Sequence, residues 1–172
     1  MPFAVFHVVL TGIFLALFRN KFIKNKFPFY FVVIGAIAGL VPDVDIIIFY
    51  LLSFFGYGVD EIHRTYTHSI FLPLLFLVLG NFFYIRKKRS SFRFDLLFFV
   101  ISFGIFIHII LDVLFSYGVR VFYPFSSYLI GLDIFGFIPK SWNNTFLNVV
   151  DGVILVLWLV YITVKKKITD FV

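Results

Sequence analysis

Five long runs of this chain carry almost no charge: roughly Phe3 to Phe18, Phe29 to Val41, Ser69 to Ile85, Phe94 to Tyr117 and Val149 to Val164. A helix rises 1.5 Å per residue, so about 20 such residues span the hydrocarbon layer of a bilayer. At that depth the backbone must satisfy its own hydrogen bonds, which leaves helices or a closed barrel, and the alternating pattern of a barrel is missing. Composition points the same way. Of the 172 residues 62% are apolar and only 14% charged, against about 25% charged in a soluble domain. The expected fold is an all-α integral membrane protein: a single transmembrane domain over residues 1–172, built as a bundle of about five helices. The run from Ile46 to Phe55 is too short to cross alone. It predicts an additional interfacial or re-entrant helix, or a continuation of the second segment beyond Pro42.

The basic residues are not spread evenly. Arg19, Lys21, Lys24 and Lys26 follow the first run, Arg86 to Arg89 and Arg93 the third, and Lys165 to Lys167 the fifth. Connections rich in Lys and Arg face the cytoplasm. The pattern predicts an N-terminus outside, a cytoplasmic C-terminus, and the segments 43–68 and 118–148 outside. The net charge of +6 therefore flanks membrane spans and gives no support to nucleic-acid binding. A secretory signal peptide would carry its positive charge ahead of its apolar core. Here residues 1–18 are uncharged, so the first run reads as a retained helix. The chain has no cysteine, which excludes disulfides, thiolate metal sites and cysteine nucleophiles.

Ionisable side chains within membrane segments are costly and mark function. All four histidines, His7, His63, His68 and His108, map with Asp43, Asp45 and Asp112 to the outer ends of their segments in the topology set by Lys and Arg alone. His108 and Asp112 are four apart, so on a helix they share a face and can meet one ion. Asp43 and Asp45 stand where the chain leaves its second helix and offer hard oxygen ligands. His63 and His68 suit a loop and a helix entrance, with Thr67 or Ser69 as N-cap and Pro73 in the first turn. Imidazole with carboxylate suits Zn²⁺, Mn²⁺ or Fe²⁺, and the set has donors for one or two ions. Arg64, beside the ligands, is placed to clamp an anionic group. Asp60 and Glu61 read as a solvated loop, and Asp133 and Asp151 have no assigned role.

These residues, in this order, resemble the YdjM-like membrane-bound metal-dependent hydrolases. The matching blocks are His7, Gly39-Leu40-Val41-Pro42-Asp43-Val44-Asp45, His63-Arg64-Thr65-Tyr66-Thr67-His68-Ser69 and His108-Ile109-Ile110-Leu111-Asp112, with Pro124-Phe125 downstream. The family is in turn distantly similar to zinc-dependent phospholipase C. The resemblance implies metal ligation by His7, Asp43 or Asp45, His68, His108 and Asp112, with His63 as a ligand or a residue that orients one. The expected function is metal-assisted hydrolysis of a phosphoester or lipid head group at the extracytoplasmic interface. Arg64 and Asp45 are the expected catalytic residues, and membrane lipids the expected surroundings. The alternative is a non-enzymatic metal-binding or transport protein, which the scarcity of polar residues in the inner halves of the segments disfavours. A lipid phosphatase of the phosphatidic-acid type would need Arg where Ser102 stands.

Overall fold

The computed structural model describes residues 4–22, 27–59, 63–86 and 92–164. Lys24, Lys26, Asp60, Glu61, Lys87, Lys88, Arg89 and Lys165 to Lys167 lie outside the described residues. Six α-helices are present among them: α1 (Ala4–Phe22), α2 (Phe29–Ala38), α3 (Asp45–Ser53), α4 (Phe71–Arg86), α5 (Phe94–Phe115) and α6 (Lys140–Val164). The remaining backbone pairing of note is one isolated antiparallel bridge between Val119 and Ile130. The all-α membrane fold is the one the apolar runs predict.

Helix lengths refine the expected spans. Over Ala4–Lys21, and over all of Phe94–Phe115, α1 and α5 are long and apolar enough to cross a bilayer singly. Together, α2 and the Pro42–Ser53 segment meet the same criterion, but with a bend of 42°. The short apolar run after Pro42 thus forms, with the second segment, either one broken span or a re-entrant loop. Pro42 lacks an N–H and cannot extend an α-helix. The chain from Gly39 to Val44 accordingly tightens into i→i−3 hydrogen bonds, such as Val41 N–H to Ala38 O and Val44 N–H to Val41 O. At 16 residues, α4 reaches about 24 Å, short of the roughly 30 Å hydrocarbon layer. The last helix begins at Lys140, nine residues ahead of the apolar run at Val149, because its first turns are polar and invisible to a hydropathy reading.

The helices alternate in direction. Gly35 of α2 lies against Leu15 of α1 and Gly39 against Thr11, an antiparallel pair. Likewise α4 and α5 are antiparallel, with Gly80 against Phe99 and the Ser102 hydroxyl donating to the Pro73 carbonyl at 2.7 Å. Between the pairs, α2 and α5 approach until their backbones touch. A Cβ on Gly104 would fall on the Gly35 carbonyl oxygen and lie 3.0 Å from the Gly39 nitrogen. Small residues spaced by four permit such close crossings in membranes. One apolar cluster, Leu15, Phe27, Phe31, Val32 and Val100, fills one half of the bundle, and Phe6, Leu111 and Leu147 form another. The exposed apolar side chains of α3, among them Ile47, Tyr50 and Leu51, present a surface suited to lipid.

This packing singles out Gly104. Replacing Gly104 by Ala drives a methyl group into the α2 backbone and destabilises the bundle by about 1–3 kcal/mol, read as a lower thermal midpoint in detergent. Gly152→Ala on α6, where an added Cβ meets nothing within 4 Å, leaves the midpoint unchanged or raises it through helix propensity by up to about 1 kcal/mol.

Candidate metal centre

Four elements deliver the polar residues to one end of the bundle: the start of α1 (His7), the turn after α2 (Asp43, Asp45), the connection into α4 (His63, Arg64, His68) and the last turns of α5 (His108, Asp112). Of the described basic residues, Arg19, Lys21, Arg86 and Arg93 belong to the opposite end. Residues separated by up to 105 positions thereby become neighbours, as His7 Nε2 and Asp112 Oδ1 are at 3.5 Å. His68 and His108 are completely buried, and Asp45, Asp112 and His7 nearly so.

The connection into α4 takes its shape from local hydrogen bonds. Ser69 caps α4, its hydroxyl oxygen accepting the Phe71 N–H at 3.4 Å while the hydroxyl donates to the Tyr123 carbonyl at 2.7 Å. Pro73 sits in the first turn, where its missing N–H is harmless. Arg64 adopts the left-handed backbone conformation (φ 60°), uncommon for a residue with a side chain. That turn lets its N–H donate to Asp45 Oδ2 at 3.2 Å.

At the centre, four atoms from four places face one another: His68 Nε2, His108 Nε2, Asp43 Oδ1 and Asp112 Oδ2. The two imidazole nitrogens are 3.3 Å apart. His68 Nε2 lies 3.6 Å from Asp43 Oδ1 and 3.4 Å from Asp112 Oδ2. His108 Nε2 lies 3.7 and 3.8 Å from the same two oxygens. A tetrahedral ion with bonds of about 2.0–2.2 Å needs its ligand atoms about 3.3–3.6 Å apart. These five separations come within a few tenths of an ångström of that. Asp43 Oδ1 and Asp112 Oδ2 are buried and have no hydrogen-bond partner. Buried polar atoms are nearly always satisfied, and two acceptors facing two imidazole nitrogens are the donor set a divalent cation satisfies. The residues fit the metal.

The other acidic and imidazole groups surround this core differently. Asp112 turns its second oxygen towards His7, whose ring lies 4.2 Å from the His108 ring. His108 Nδ1 donates to the Gly39 carbonyl at 2.6 Å, which fixes the ring and leaves Nε2 as the ligating atom. His63 Nδ1 lies 2.7 Å from Asp45 Oδ1. Arg64 Nε lies 3.7 Å from Asp112 Oδ2 and makes no hydrogen bond of its own. The structure thus brings together all eight residues that the sequence singles out. Sequence reasoning gave Gly39 no role of its own, although it opens one of the matching blocks, because a backbone carbonyl leaves no signal in the sequence. Asp151, unassigned from sequence, accepts the Phe6 N–H at 2.9 Å and ties α6 to the start of α1. Asp133 lies in a turn, its carbonyl accepting the Gly136 N–H.

The profile of the YdjM inner membrane protein family matches residues 3–169. The chain belongs to that family. No curated protein and no solved structure matches it. In this family member the metal-binding potential rests on three overlapping groups: His7, His108 and Asp112; Asp43, His68 and His108; and Asp45, His63 and His68.

His68 lies in the connection ahead of α4, and its titration follows from its neighbours. Burial disfavours the charged ring, but the carboxylates of Asp112, Asp43 and Asp45 within 3.4–3.6 Å outweigh it and push the pKa up to about 10. Below that pH the ring holds a proton that an incoming cation must displace. Zinc affinity therefore rises with pH, by about tenfold per unit between about pH 6 and 8 for one proton released. Titration calorimetry in buffers of different ionisation enthalpy reads that proton directly.

Proposed function

We propose that this YdjM-family chain is a metal-dependent hydrolase embedded in the membrane, acting on a phosphoester such as a lipid head group or a cell-envelope intermediate. The observation that carries the reading is the four-atom cage with its two unpartnered carboxylate oxygens. His68, His108, Asp43 and Asp112 would hold the first divalent ion, with zinc the best match to the donor set. His7, beside the second oxygen of Asp112, extends the set towards another. When bound, such an ion supplies hydroxide at neutral pH and positive charge against the phosphoryl oxygens.

The remaining residues bind and orient. Arg64 is partly exposed at its side chain, and its guanidinium donors suit an incoming phosphoryl group, where aligned positive charge stabilises the transition state. Asp45 belongs to the support. Both its oxygens already accept hydrogen bonds, so it holds the His63–His68 connection in place and leaves the reacting groups to others. The order of the His and Asp residues also supports a distant phospholipase C likeness. We assign the site to the extracytoplasmic face, because the polar cluster and the basic residues Arg19, Lys21, Arg86 and Arg93 occupy opposite ends of the bundle.

Purified protein loaded with zinc is expected to hydrolyse bis(4-nitrophenyl) phosphate, and His108→Ala and Asp112→Asn to lose both metal and activity. Arg64→Gly separates the roles. Glycine adopts the φ of 60° without strain, so thermal stability and zinc content hold while the rate falls by about 10²–10³. Wild-type rates in all three variants would contradict the proposal. For orientation, Gly58→Cys should react with a membrane-impermeant maleimide on intact cells and Ser90→Cys should not; the reverse labelling would invert the topology.

A further inference from the structure

The centre described above contains two aspartates two residues apart that behave in opposite ways. Asp43 directs an unpartnered oxygen at the cage. Asp45, only 2% exposed, already accepts hydrogen bonds at both of its oxygens. Its Oδ1 accepts from His63 Nδ1 at 2.7 Å, and its Oδ2 accepts from the Arg64 N–H at 3.2 Å and from the Thr67 hydroxyl at 2.6 Å. Thr67 Oγ1 also lies 3.0 Å from His68 Nδ1, and His68 Nδ1 lies 3.4 Å from Asp45 Oδ2.

Proton counting fixes the direction of this chain. An ionised carboxylate only accepts, and a hydroxyl has a single proton. The Thr67 proton therefore points at Asp45, and the Thr67 lone pair faces His68 Nδ1, which must carry the hydrogen. Nε2, on the far side of the ring, is then the atom free to ligate, and it is the one facing Asp43, His108 and Asp112. His108 is treated in the same way by the Gly39 carbonyl. Each buried imidazole is thus held from behind in the tautomer that presents Nε2.

We propose that Thr67 and Asp45 are positioning residues: a hydroxyl–carboxylate relay that locks His68 with its hydrogen on Nδ1 so that Nε2 binds the ion. The inference rests on the metal-centre reading. It also decides against the grouping of Asp45, His63 and His68 as an ion site of its own. The 2.7 Å contact between His63 Nδ1 and Asp45 Oδ1 is a hydrogen bond, shorter than the roughly 3.3 Å separating two ligands of one tetrahedral ion. The sequence offers Thr67 only as a candidate helix cap and does not place it beside Asp45. That placement comes from the left-handed turn at Arg64, which folds the connection back over Asp45.

The test measures zinc affinity and stoichiometry of the full-length protein in detergent, by competition with a chromophoric chelator. Thr67→Val keeps the shape and removes the hydroxyl, while Thr67→Ser keeps the hydroxyl. Partners that orient a ligating imidazole are worth about 10–100-fold in metal affinity. Thr67→Val should keep the zinc stoichiometry and weaken binding by that factor, with Thr67→Ser returning to within about threefold of wild type. Wild-type affinity in Thr67→Val, or equal weakening in Ser and Val, overturns the relay and leaves the metal centre standing. Absence of zinc binding in the wild type overturns the centre and the relay together.

Discussion

A carboxylate withdrawn from water must find compensation within the protein, and three of them are gathered here at one end of an apolar bundle. The penalty for an uncompensated buried charge is several kcal/mol. Asp45 meets it with donors from His63, Arg64 and Thr67. Asp43 and Asp112 each retain a buried oxygen without a hydrogen-bond partner, and both face the Nε2 atoms of His68 and His108. In the absence of a cation, the raised pKa of His68 places a proton in the position a metal would take. That contrast between satisfied and unsatisfied carboxylates, inside one cluster, marks where an ion could be held.

The scaffold serves this cluster through backbone as much as through side chains. Contact between Gly35, Gly39 and Gly104 brings α2 against α5 closely enough for the Gly39 carbonyl to reach His108. The break at Pro42 turns the chain just where Asp43 and Asp45 must leave the helix axis. Ser69 then ties the start of α4 to the 121–123 segment through the carbonyls of Val121 and Tyr123, and this holds His68 against the ends of the other helices. Bulky residues at the glycines would separate helices and ligands together.

Much of this was legible in the sequence because hydropathy and spacing are local properties. Uncharged runs mark α1, α2, α4 and α5, and the four-residue step from His108 to Asp112 needs only a helix to become a shared face. The blocks from His7 to Asp112 carry the family likeness, and the family profile extends the match over residues 3–169. What stayed hidden depends on contacts between distant parts of the chain. The polar opening turns of α6 have no hydropathic signature. Asp43 and Asp45 are the same residue type in the same short block, and only the donors arriving from the His63–His68 connection tell them apart. A backbone carbonyl such as that of Gly39 has no signature at all.

On the proposed function, a metal held at this end of the helical bundle, with Arg64 beside it, would give the chain a means of acting on phosphoesters where membrane and water meet. The central claim is the location of the ion, and anomalous scattering from zinc-soaked crystals measures it most directly. The account predicts a peak about 2 Å from His68 Nε2, His108 Nε2, Asp43 and Asp112. A zinc peak elsewhere in the molecule, or none in crystals soaked at saturating zinc, would contradict it.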